Sequence, residues 1–539
     1  MLRLPGRLRV PMSASRGAFL AGVAVTIALI LLLTRGALAP GYLLYRDFVT
    51  VPVPVLNAAA FGAGGAPRSV PLDLVTALAA IVAPSWLVQK ILLVAPLLLA
   101  GSGASFLLRH RGPAATIVAS VLAVWNPYVA QRLLLGQAPT LLGYAMIPWL
   151  IAAVRSPRSR GRRIAMVSLA ALPAVLTPVG GLMALLTVVV AAASLPAGRR
   201  LRDAVWLGLP VLVLCLPWVV VGLRDPTRGA VPSGATAFAV AADSPAGVVG
   251  SVLTLGGVWA PGAWLASRAA WPALLAELVL VVVAICGWRL LRRGRRLRRP
   301  ADLGLAAYVL GVLAVLAVAG PGLPLWRSLQ QVPGVAMLRD THRLLGFAAM
   351  SVALLCGIAA SEAVSAWGHR GRPGAGLSPA AGVLALVGIG LLSAPDLAAR
   401  LDTELRPVPF PGQWTRVVEA VNGSAADGSV LILPWQPFRQ TPWAGRRPFL
   451  DPLPRALDKA VVSARDLLVT RDGRSIWVGG EDLPAAPRWR RGEIEGAELR
   501  RLGVRWVVEW LDSPGALPKE HPGMTRVLDG AHWRVWRVG

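Results

Sequence analysis

Three short clusters in this chain carry side chains able to do chemistry. Tyr45-Arg46-Asp47-Phe48 sets an acid beside a cation just after the first apolar run. A carboxylate there can serve as a general base or a metal ligand, or as one half of a solvated charge pair. Asn126-Pro127-Tyr128 is followed by Arg132, Gly136 and Gln137, with Gly143-Tyr144 and Pro148-Trp149 beyond. Asn-Pro ends a helix, so Arg132 projects from a short turn beside the bilayer. Its planar fork suits a phosphate borne by a lipid, or it snorkels to headgroups. Arg339-Asp340-Thr341-His342-Arg343 precedes a later apolar run. Asp340 or Thr341 caps that helix in the plain reading, and a helix N-terminus flanked by two arginines also attracts phosphate.

Other polar groups carry weaker signals. Lys90 and Glu277 fall near the ends of apolar runs, where snorkelling competes with function. Asp73 is a second acid in the stretch that holds Asp47. Asp402-Thr403-Glu404 reads as a solvated linker. Cys215, Cys286 and Cys356 lie inside apolar runs and read as small buried hydrophobes. No CxxC or HExxH occurs, which argues against a cysteine-based metal site.

The elements that position these clusters follow from composition. Of 539 residues, 55% are hydrophobic and 15% charged, so several membrane spans are required. Runs long enough to cross give about eleven spans at roughly twenty residues each. They lie near 17–36, 87–108, 113–130, 139–154, 164–179, 180–196, 204–223, 271–290, 302–320, 344–364 and 377–394. The first reads as an uncleaved span rather than a signal peptide. Arginine clusters at 1–16, 109–111, 155–163, 199–202, 289–299 and 370–372 fall at every second connection. That alternation puts the N-terminus in the cytoplasm and the C-terminus outside, in the plasma membrane. Residues 70–86 and 246–266 would break it by crossing, so they read as interfacial or re-entrant helices on the outer side. If both do cross, one arginine cluster is misassigned.

From 395 onward the character changes. This part holds 21 Lys+Arg against 18 Asp+Glu, only +3 of the chain's +28. The excess positive charge therefore lies between spans, which excludes nucleic acid as the partner it serves. Helices over 413–421 and 494–502, with strands over 429–433, 504–510, 525–528 and 532–538, predict a small α/β domain. The expected organisation is mostly α: a transmembrane domain over 1–394 with a first outer loop at 37–86, then an extracytoplasmic α/β domain over 395–539. The nine tryptophans after 395 offer faces for sugar stacking, or pack that domain's core.

This plan resembles the GT-C superfamily of polytopic membrane glycosyltransferases. Asn126 to Trp149 is similar to part of the membrane region of actinobacterial arabinofuranosyltransferases. Leu338 to Arg343, Leu431 to Pro434 and Leu502 to Val508 resemble YfhO-like membrane proteins. The arabinofuranosyltransferases are much longer and carry carbohydrate-binding modules, so the same sugar and acceptor are not implied. The resemblance implies transfer of a sugar from a polyprenyl-phosphate donor to a cell-envelope glycan or lipid acceptor, on the outer face of the membrane. Asp47 would be the catalytic base, and Arg46 beside it should favour its ionised form. Arg132, Arg339, Arg343 and Lys90 would bind the donor phosphate. Arg46, Asp73, Gln137, Asp340 and His342 would support them. No cofactor is called for, although a divalent metal is compatible with these acids. The alternative is a lipid or polysaccharide transporter, or an envelope-assembly protein, without catalysis.

Overall fold

The structure is a computed structural model. It describes residues 12–63, 69–224, 232–293, 298–332, 335–370, 378–471, 474–479 and 483–539. Arginines 3, 7, 9, 295, 296 and 372 of the proposed cytoplasmic clusters lie outside the described residues.

The first part of the chain is helical. Its elements are α1 (Met12–Thr34), α2 (Leu72–Ala79), α3 (Ser85–Leu108), α4 (Pro113–Val124), α5 (Pro127–Leu134) and α6 (Leu141–Val154). They continue as α7 (Arg160–Ala171), α8 (Pro178–Ala193), α9 (Arg200–Arg224), α10 (Pro232–Ala237), α11 (Gly247–Leu253) and α12 (Trp271–Arg292). The series closes with α13 (Arg298–Ala319), α14 (Leu323–Leu329), α15 (Leu345–Arg370), α16 (Pro379–Leu392) and α17 (Leu397–Glu404).

Among the described residues, seven helical stretches are long and apolar enough to cross a membrane, or eight if α16 and α17, bent by 44°, form one broken span. The eleven expected spans thus include some shorter helices. Those over 138–154 and 178–193 are apolar but short, and α7 has 12 residues. The two stretches read as non-crossing contain α2 of 8 residues and α11 of 7, each far too short to cross. The α4–α5 stretch, taken as one, and α15 are the most enclosed of the candidate spans. Cys215 and Cys356 are buried as expected, but Cys286 is exposed on α12, where an apolar face needs no protein neighbour if lipid covers it.

The C-terminal region opens with α18 (Gln413–Asn422) and nine strands follow among the described residues. They are β1 (Ser429–Leu433), β2 (Phe438–Arg439), β3 (Phe449–Leu450), β4 (Val461–Val462), β5 (Leu467–Arg471), β6 (Arg474–Val478), β7 (Val504–Trp510), β8 (Met524–Leu528) and β9 (Trp533–Val538). The main sheet runs β4-β1-β7-β9-β8, parallel around β1 and antiparallel from β7 to β8. β5 and β6 form a separate antiparallel hairpin. Trp414, Trp489, Trp506, Trp510 and Trp533 are buried, so these indoles build the core instead of presenting sugar platforms.

Candidate functional site

The site starts where a helix breaks. α4 ends at Trp125, whose extended backbone turns the chain, and Asn126 restarts it. The Asn126 side chain accepts from the Val129 amide at 2.9 Å, and Pro127 takes the first helical position, where no amide donor is needed. The eight-residue α5 that results carries Gln131 and Arg132 inward, and both are fully buried.

Both terminal nitrogens of Arg132 are engaged. One terminal nitrogen, Nη1, donates to Asp340 Oδ2 at 2.5 Å and to Gln137 Oε1 at 2.8 Å. The other, Nη2, reaches His342 Nδ1 at 2.6 Å. A guanidinium can only donate, so His342 Nδ1 accepts and the ring proton sits on Nε2, which points at Gly256 O from 3.1 Å. Burial alone would raise the Asp340 carboxyl. Arg132 and Arg343 beside it outweigh burial and hold it well below the usual carboxylate range. The expectation placed Arg132 against a lipid phosphate; the structure encloses it among Asp340, Gln137 and His342.

Asp47 joins this network through one residue. Gln137 Oε1 lies between Arg132 Nη1 and Arg343 Nη2, at 2.8 and 3.5 Å. Two donors on that side fix the amide's orientation, so Nε2 must face the other way, and it donates to Asp47 Oδ2 at 3.1 Å. Asp47 itself opens to solvent at the bottom of a crevice. The protein packed around it pushes its carboxyl above the usual range, against the Gln137 bond and the charges of Arg343, Arg46 and Arg339. Packing thus wins over the expected ionising effect of Arg46. The Arg46 guanidinium also points elsewhere, with Nε on the Tyr45 hydroxyl at 3.1 Å.

The turn that presents Asp47 is held from three sides. Tyr45 and Phe48 exchange backbone bonds, with Arg46 at φ 48° in the left-handed region. Gly136 lies directly beneath: a Cβ there would come within 2.6 Å of Tyr45 O and 3.0 Å of Asp47 N. Gln89 of α3 clamps the same segment, accepting from Leu43 N and donating to Leu43 O and Phe48 O. The C-terminal region supplies the third side, through Arg46 N to Pro448 O at 2.7 Å and Leu450 N to Arg46 O at 2.8 Å.

Arg343 and Arg339 line the open side. Arg343 Nε stands 3.3 Å from Asp340 Oδ2 and is partly exposed. Arg339 lies with its guanidinium 4.4 Å from the Phe238 ring centroid, a cation–π placement that orients it without consuming its charge. Two expected members lie apart from this group. Asp73 is buried and paired with Arg455 of the C-terminal region at 3.3 Å. Lys90 is buried on α3, and its ammonium has no hydrogen-bond partner among the described residues.

Sequence reading missed Asp243 and Arg268, which form a buried bidentate pair at 2.7 and 3.0 Å. Gln131 donates to the same Asp243, and its Oε1 accepts from Val258 N at 3.1 Å, so this pair fixes the loop that carries Gly256 under His342. The signal was available: Arg268 is an arginine on the side where the alternation disfavours one. Among the described residues, no three His, Cys, Asp or Glu side chains come together as a metal site.

No family model and no curated protein matches the sequence. Among solved structures, the mycobacterial arabinofuranosyltransferase AftD, determined by single-particle cryo-electron microscopy, matches 97% of this chain with a TM-score of 0.62 and 16% identity. This chain spans 42% of that protein's length. The helical fold, with its several apolar stretches long enough to cross a membrane, is therefore shared with that protein over nearly all of this chain.

Proposed function

We propose that the protein is a membrane glycosyltransferase of cell-envelope synthesis, moving a sugar from a polyprenyl-phosphate donor to a hydroxyl of a glycan or lipid acceptor. The observation that carries this reading is the solvent-open Asp47 carboxylate, bonded by Gln137 to a guanidinium network whose open edge is Arg343. The shared fold with an arabinofuranosyltransferase supports it.

In the proposed step, the acceptor oxygen bonds to the anomeric carbon while the bond from that carbon to the donor phosphate oxygen breaks. Asp47 takes the hydroxyl proton, and its raised pKa suits a base working near neutrality. The lipid phosphate leaves with the bonding pair, and Arg343 and Arg339 receive its growing charge. Arg132 acts at one remove, holding Asp340, Gln137 and His342 so that Asp47 and Arg343 keep their spacing. The proposed orientation follows the arginine clusters: N-terminus in the cytoplasm, Asp47 and the C-terminal region outside.

The test is sugar transfer by purified protein in nanodiscs, supplied with radiolabelled polyprenyl-phosphate sugars and an envelope extract as acceptor. Transfer that depends on Asp47 supports the reading. Donor binding with no transfer by the intact protein overturns it in favour of lipid translocation.

A further inference from the structure

The β5–β6 hairpin has two unlike faces. Its inner face places Val469 and Val478 in a small apolar cluster with Ala237 and Phe238. Its outer face carries Leu468 and Trp477, cross-strand partners that are 46% and 48% exposed. A directly opposed pair of large apolar side chains turned outward lacks an obvious reason in a region whose other exposed large apolar residues, Leu502 and Val527, lie on separate elements.

The hairpin's place in the molecule gives one. It packs on α10, and α10 packs in turn on α14. Gly234 of α10 lies between the two: a Cβ there would sit 3.5 Å from Val478 Cγ1 and 3.6 Å from Gln330 Oε1. Arg327 of α14 donates to Thr236 Oγ1 of α10 at 2.8 Å. α14 begins four residues after α13 ends at Ala319, and α13 is one of the helices able to cross the membrane. With α13 crossing, α14 falls at the membrane boundary at that end. Leu310 and Leu313 of α13 are exposed, as lipid-facing residues of a span are, and Leu325, Leu329 and Val332 continue that exposed apolar surface past its end. Trp477 adds the amphipathic ring that favours the lipid–water boundary, with the Arg490 guanidinium 4.6 Å from its centroid.

We propose that the β5–β6 hairpin, together with α14, seats on the bilayer surface at the Ala319 end of α13, with Leu468 and Trp477 as the side chains that enter the lipid. The membrane then holds the C-terminal region at a point distant in sequence from the spans. The hairpin's inner face supports Phe238, the ring on which Arg339 rests, so the same seating steadies one wall of the crevice. The inference stands whatever reaction the crevice performs.

Site-directed spin labelling of the full chain tests it. Cys286→Ser removes the exposed thiol, and the buried Cys215 and Cys356 serve as the unlabelled blank. Nitroxides at Leu468→Cys and Trp477→Cys, in phosphatidylcholine–phosphatidylglycerol nanodiscs, are compared with Thr415→Cys, an exposed residue of α18. The expected result is a several-fold higher ratio of oxygen to nickel-chelate accessibility at 468 and 477 than at 415. Equal ratios at all three positions overturn the proposal. So does low accessibility to both reagents at 468 and 477, which would mean that protein covers the face.

Discussion

Two buried arginine–aspartate pairs sit at opposite ends of the helical region, and they differ in what lies beyond them. Arg163 of α7 and Asp203 of α9 meet at 2.8 Å, both about 1% exposed, beside the arginine-rich connections. Arg163 also donates to Val154 O at 3.0 and 2.6 Å, and Asp203 meets the half-exposed Arg199 and Arg202 at 3.3 and 3.7 Å, so the pair ties helices together and ends in surface arginines alone. Arg132 and Asp340 are as close and as buried, but their partners lead to an exposed acid as well as to a cation. Gln137 passes from Arg132 to Asp47, and Asp340 passes to the half-open Arg343. A buried ion pair alone is weak evidence of function, because desolvation offsets much of its attraction. A buried pair that ends in a solvent-open acid and an open cation has a different meaning under the proposed function: it would hold reactive groups that it does not itself contain.

The sharpest break between the two pairs is kinetic. Asp47→Asn keeps the shape of the crevice and is expected to lower sugar transfer by roughly 10²–10⁴-fold, the usual size of a general-base contribution. Asp203→Asn, measured on the folded fraction, is expected to leave the rate unchanged. Equal losses in both variants would erase the distinction between the pairs.

Stability should not separate them. Arg132→Ala and Arg163→Ala each remove the nearest partner of a buried carboxylate, but Asp340 keeps Arg343 and Asp203 keeps Arg199 and Arg202, so the cost should be similar in both and below the roughly 3–5 kcal/mol of a charge left unpaired, read as loss of folded protein in a thermal melt. Replacing each pair with apolar residues separates them again. Arg163→Met with Asp203→Leu should keep both stability and transfer. Arg132→Met with Asp340→Leu should keep stability and lose transfer, because Gln137 and Arg343 lose their anchors.

Smaller effects test the open edge. Arg343→Ala is expected to weaken donor binding by about tenfold or more, as a lost charge-assisted bond of roughly 1.5–3 kcal/mol would. Binding of a labelled polyprenyl phosphate to nanodiscs measures it. The smallest effect is in pH dependence. Because Asp47 is raised, the acid limb of kcat/KM should lie above the ordinary carboxylate range. The Gln137 bond favours the ionised form, so Gln137→Ala should move that limb to still higher pH. A limb that moves down would remove Asp47 as the titrating group.

The sequence was most readable where composition alone decides. Apolar runs located the long helices, and short runs of β-branched and aromatic residues located β1, β7 and β9 to within a residue or two. Asn126-Pro127 announced the helix break, since one side chain caps and the other lacks a donor. The types and neighbourhood of Asp47, Gln137, Asp340 and Arg343 were legible from polar residues set where a membrane protein disfavours them. Their division of labour was not. Whether Arg132 faces lipid or Asp340 depends on two segments 208 residues apart in the chain. The pairing of Asp73 with Arg455 is still more distant. The β5–β6 hairpin was missed because Leu467–Val478 lacks a clean alternation, having apolar residues on both faces.

The clamp on the turn at Asp47 has a consequence for how this molecule can be divided. Tyr42 pairs with Val408, Arg46 with Phe449, Asn57 with Leu457 and Asp73 with Arg455, all along the stretch between α1 and α3. The change in composition near residue 395 is where the sequence predicts that the chain leaves the lipid, and it is a poor guide to where cooperativity ends. Mechanically, the turn at Asp47 is an annex of the C-terminal region, stapled to α3 on its other flank. The smallest piece that opens and closes as one unit therefore spans both, and local unfolding of the C-terminal region should loosen the acid before it disturbs a single span.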